Sequence, residues 1–130
     1  MQPTLFWVAI GQAGRIATMA RPRGGDWLAD ELSALRIFGV DVLACLLTPA
    51  ELEELDLVAE ERLARATGLE FHTFPMADYG VPALDAATLA FVARLAEDVC
   101  ADQSIAVHCR MGIGRSSLIV ASAGIAWHAG

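Results

Sequence analysis

From Val40 to Leu47 the chain is apolar apart from Asp41, and no other stretch restricts the fold so tightly. A strand with one face in water alternates apolar and polar residues, whereas a strand apolar on both faces must be covered on both. That excludes an open antiparallel sheet and asks for helices above and below. The flanking residues supply them. Gly39 ends a helix predicted from about Trp27 to Phe38, with Asp26 as its expected cap. Thr48-Pro49-Ala50-Glu51 reads as a capping box with proline at the first helical position. It opens helical segments over 49–66 that break near Asp56 and stop at Gly68.

The same alternation runs through the rest of the chain. Leu5 to Ile10 and Arg15 to Ala20 read as strands joined by the turn Gly11-Gln12-Ala13-Gly14. Leu69 to Phe74 is a further strand, and Pro75 to Pro82 a loop. Leu84, Thr88, Phe91, Leu95 and Val99 recur at helical spacing and form one core-facing stripe. Ser104 to His108 is a short strand, followed by a glycine-containing turn and a small-residue apolar helix from about Gly114 to His128. The expected fold is an α/β single domain over residues 1–130 with a mostly parallel central sheet and helices on both faces. Such sheets carry their sites at the carboxyl ends of strands.

Composition narrows the partners. A net charge of −7 repels phosphate backbones and anionic lipid, so neither nucleic acid nor a membrane is expected. Although 55% of residues are hydrophobic, no run reaches the roughly 18 needed to span a bilayer. The N-terminus has no basic residue ahead of its short apolar run, so no secretory leader is expected either. Three cysteines suit neither a disulfide framework nor a zinc ribbon, and a reducing cytoplasm is the expected compartment.

The chemistry sits in His108-Cys109-Arg110-Met111-Gly112-Ile113-Gly114-Arg115-Ser116. A turn feeding a helix N-terminus offers converging backbone N–H groups to an anion, and Gly112 and Gly114 let that turn close. Arg115 would clamp two phosphate oxygens with a planar fork. A thiol at Cys109, set among those donors, ionises below its ordinary range and can attack phosphorus in line. Residues 110–115 are thus the candidate phosphate loop. Ser116 is the candidate aid to thiolate departure, and His108 a supporting residue that orients the loop.

This string is the His-Cys-x-x-Gly-x-x-Arg-Ser signature, and the chain resembles the protein tyrosine phosphatase superfamily. Phe74-Pro75-Met76-Ala77-Asp78-Tyr79-Gly80-Val81-Pro82 resembles the general-acid loop of small dual-specificity phosphatases of the kinase-associated-phosphatase type. Gly39-Val40-Asp41 and Leu46-Leu47-Thr48-Pro49-Ala50-Glu51-Leu52 look like the same family. The resemblance covers roughly Trp27 to Ala126. It implies Cys109 as nucleophile, Arg115 as phosphate clamp, Asp78 as general acid and then base, and Ser116 as release aid. A proton donor on a mobile loop also suits the expulsion of an alkoxide or phenoxide; Asp85 is the runner-up.

The chain departs from the large tyrosine-specific enzymes at Met76, near the place of their tryptophan, and lacks a segment like their deep recognition loop. A shallow pocket open to several phosphoesters follows. Family members usually carry more helix after the loop helix, so the fold is expected to lack C-terminal helices and to leave an apolar face uncovered. The expected activity is hydrolysis of protein phosphotyrosine, and of phosphoserine or phosphothreonine, through a phosphocysteine. A phosphate-binding module with little turnover is the alternative. No cofactor and no metal are required, the partner is a phosphoprotein or phosphopeptide, and the chain is a monomer or weak dimer.

Elsewhere the bland readings prevail. Cys45 and Cys100 are core or structural positions; some relatives pair a second cysteine with the nucleophile, which the sequence leaves open. His72 and His128 are ordinary structural histidines. Glu51-Glu53-Glu54 and Glu60-Glu61 read as solvated helix faces, and Arg21 and Arg23 as a solvated loop.

Overall fold

The computed structural model describes residues 5–8, 15–76 and 86–109. In chain order the elements are β1 (Phe6–Val8), β2 (Arg15–Met19), α1 (Leu28–Ile37), β3 (Val42–Cys45), α2 (Pro49–Glu54), α3 (Glu60–Thr67), β4 (Glu70–Thr73), α4 (Ala86–Cys100) and β5 (Ser104–His108). The sheet order is β1-β2-β5-β3-β4. Among the described residues only the β1–β2 pairing is antiparallel; β2, β5, β3 and β4 run parallel. The final helix expected over 114–128 and the turn over 11–14 lie outside the described residues.

All four residues of β3 are buried, as its sequence requires. Val42, Ala44 and Leu46 join one cluster with Ile105, Val107, Val92, Leu95 and Val99, which places α4 on that face. Leu43, Cys45 and Leu47 join a second cluster with Leu28, Leu32, Leu35 and Ala64, from α1 and α3 on the opposite face. Asp41 is tolerated because it stands just before the strand. Its carboxylate accepts from the Ser104 backbone N–H at 2.9 Å and from Arg36 Nη1 at 2.9 Å, tying β3, β5 and α1 together.

Local signals behave unevenly. Thr48 Oγ1 accepts from the Glu51 N–H at 3.3 Å and Glu51 Oε1 from the Thr48 N–H at 3.0 Å, which completes the capping box. Gly39 and Gly68, at φ of +93° and +94°, adopt the left-handed conformation that ends α1 and α3. Asp26 does not cap α1. It lies in a 3-10 turn over Gly25–Trp27, and no side chain caps the helix start at Trp27. A missing cap costs about 1 kcal/mol, whereas Leu28, Leu32 and Leu35, all fully buried, contribute about 1.5–3 kcal/mol each. Packing sets where α1 begins.

Candidate active site

β5 occupies the middle of the parallel sheet, between β2 and β3. Its side chains alternate. Ile105 and Val107 face α4, and the next residue with that parity, Cys109, sits with them in the same cluster, 1% exposed. Ala106 faces the other way, toward α1 and α3, and so does His108. The strand therefore delivers a thiol to one face at its carboxyl end and an imidazole to the other face one residue earlier.

The imidazole is held by a residue far away in the chain. His108 Nε2 lies 2.5 Å from Glu60 Oε2, with side chains 0% and 1% exposed. Glu60 is the first residue of α3, where the positive end of the helix dipole favours a carboxylate. Burial alone would push the His108 pKa down. The Glu60 carboxylate and hydrogen bonding to Cys45 and Glu60 outweigh it and hold the imidazole well above its ordinary value. Cys45 is the register partner of His108 across β3 and β5. Behind Cys109, then, stands a buried ion pair with an imidazolium next in the chain. Cys45, Glu60 and His108 bring three ligand-type atoms together, but the 2.5 Å contact is a direct hydrogen bond with no room for a cation between its partners.

The segment after β4 approaches the same place. The Phe74 N–H donates to Cys45 O at 2.9 Å and the Met76 N–H to Leu46 O at 3.0 Å, so the chain continues alongside β3 past the end of β4. The Phe74 ring stacks on Phe91 of α4 with centroids 4.7 Å apart. Met76 is buried in the cluster that contains Cys109. Asp78 lies two positions further along the sequence.

Of the residues singled out by sequence, His108 and Cys109 are placed at the carboxyl end of the central strand. Asp78, Asp85 and Arg110 to Ser116 lie outside the described residues. Arg23 is not a solvated loop residue: its guanidinium lies 4.2 Å above the Trp27 ring and pairs with Glu31. Glu60 was missed as a functional residue, since its place in a helical acidic cluster suggested a solvated face. A signal existed. A histidine inside an apolar strand needs a hydrogen-bond partner, so one of the chain's 16 acidic residues was to be expected beside it, though the pattern does not say which. The cysteine question is also answered. Cys45 and Cys109 occupy opposite faces of the sheet. Exposed Cys100 ends α4, beside the amino end of β5 and roughly 16 Å of strand from Cys109. No disulfide joins the three.

A parallel sheet with helices on both faces and a cysteine leaving its central strand is the architecture of the protein tyrosine and dual-specificity phosphatases. The fold matches the kinase-associated phosphatase, crystallised with its catalytic-site cysteine replaced by serine, at TM-score 0.86 and 19% identity, over 96% of this chain and 74% of that one. It also matches a Leishmania major protein assigned as a protein tyrosine phosphatase (TM-score 0.75, 19% identity, 97% and 80% of the two chains). The active form of Tk-PTP is a further match (TM-score 0.64, 21% identity, 93% and 70%). At such identities the likeness establishes the fold. Residues 17–129 match the family model described as "polymorphic toxin system, DSP-PTPase phosphatase", and the chain belongs to that family. It is a phosphatase of the dual-specificity and protein tyrosine type.

Proposed function

We propose that this phosphatase hydrolyses protein phosphotyrosine, and phosphoserine or phosphothreonine through the same shallow pocket, by way of a phosphocysteine. The observation that carries the reading is the position of Cys109. It follows the central strand on the α4 face, in one cluster with Met76, and Met76 precedes Asp78 by two residues. In the first step the Cys109 thiolate attacks phosphorus while Asp78 protonates the departing oxygen. The backbone N–H groups of Arg110 to Gly114 and the Arg115 guanidinium carry the charge of the transferring phosphoryl group. In the second step Asp78, now a carboxylate, takes a proton from water as water attacks phosphorus. The sulfur leaves as thiolate, with Ser116 hydrogen-bonded to it. The His108–Glu60 pair fixes the backbone immediately before the nucleophile.

The test is turnover of an aryl phosphate by the full chain. Cys109→Ser should remove activity while phosphopeptide binding persists; residual activity near the wild-type level would falsify the reading. Asp78→Asn should slow substrates with poor leaving groups more than those with good ones, and equal slowing would remove Asp78 as the acid.

A further inference from the structure

A second group of titratable side chains lies away from Cys109, at the edge of the sheet. Glu70 and His72 alternate along β4, the last strand in the sheet order, and point toward the α4 face, while Phe71 between them is buried on the other side. Asp98, on α4, meets them there. His72 Nε2 stands 3.5 Å from Glu70 Oε2 and 3.6 Å from Asp98 Oδ2, and the three atoms lie within 4.8 Å of one another. These spacings exceed the roughly 2.7–3.2 Å of a hydrogen bond.

Both His72 Nε2 and Asp98 Oδ2 are closed off from solvent and have no hydrogen-bond partner among the described residues. Buried polar atoms are normally satisfied, so two of them aimed at a shared gap call for a ligand. Around a tetrahedral zinc ion with bonds of about 2.0–2.2 Å, neighbouring ligand atoms stand about 3.3–3.6 Å apart. The two separations from His72 Nε2, 3.5 and 3.6 Å, match that edge. Arg94 approaches the other oxygen of Asp98, at 3.9 Å from Oδ1.

We infer that Glu70, His72 and Asp98 form a binding site for a first-row divalent cation, zinc foremost, which ties the edge strand β4 to α4. One imidazole and two carboxylates suit zinc and leave its fourth position to water. The ion would neutralise two carboxylates that otherwise face one histidine. His72 is level with Ala44 and Val107, two strands from β5, so the site is structural and separate from the chemistry at Cys109.

Titration of the full chain with zinc by calorimetry, and with cobalt by visible absorption, tests this. One equivalent should bind, with ligand-field bands of a four-coordinate cobalt ion and no sulfur charge-transfer band, and zinc should raise the melting temperature. Asp98→Asn, which keeps the side-chain shape, and His72→Ala should each weaken zinc binding by more than about tenfold, since even outer-shell changes cost that much. Binding that persists unchanged in both variants would overturn the site. So would a sulfur band, which would move the ion to a cysteine, or the lack of any saturable binding, which would leave His72 as a protonated bridge between two acids.

Discussion

The two faces of the sheet each hold a histidine among acids, and the two arrangements are opposites. On the α1/α3 face His108 and Glu60 are fully buried and in direct contact. On the α4 face His72 stands at a distance from two carboxylates and is 18% exposed. Two charges taken wholly out of water survive only by closing on each other. At the sheet edge the half-exposed Glu70 keeps part of its hydration, and the three groups stay apart with a space between them that can admit an ion. Separation, more than residue type, distinguishes an internal strut from a coordination site.

Glu60→Ala is the hardest blow to that contrast. It leaves a charged or unsatisfied imidazole in the core and should cost about 3–5 kcal/mol of stability, read by denaturant unfolding. A loss comparable to that of an exposed ion pair would mean that the two histidines are not opposites after all. Next comes pH. The folded-state pKa of His108 is raised, so its contribution is complete below the unfolded value of about 6.5 and is lost as pH climbs through the folded value. Stability should therefore fall toward alkaline pH, and Glu60→Gln should flatten that fall. Smallest is His72→Ala measured in chelator, which should change stability by no more than about 1 kcal/mol, because no closed interaction is broken.

Much of this was legible in the residues. The run from Val40 to Leu47 demanded a sheet covered twice over, and the alternation in β3 provides it. Thr48 and Glu51 formed their reciprocal cap because its partners are three residues apart. The reading failed where contacts span the chain. Glu60 and His108 are 48 positions apart, and helical periodicity cannot report which acid will be carried over the sheet. The turn after α2 decides it: Asp56 takes a positive φ of 57° and Leu57 buries completely, so α3 starts with its first residue over the core. Asp26 failed for a related reason, since tertiary packing of leucines overrode a local preference. That Cys109 directly follows a strand was legible because strand and motif are contiguous. The edge site could not be read, because Asp98 meets β4 only once α4 has docked.

The opposite orientations of Cys45 and Cys109 bear on how this enzyme would withstand peroxide. A sulfenic acid at position 109 could not be resolved by Cys45, which would have to reach through the sheet to form the bond. Repair would fall to a small external thiol such as glutathione. Lasting inactivation would set in once oxidation outran that supply.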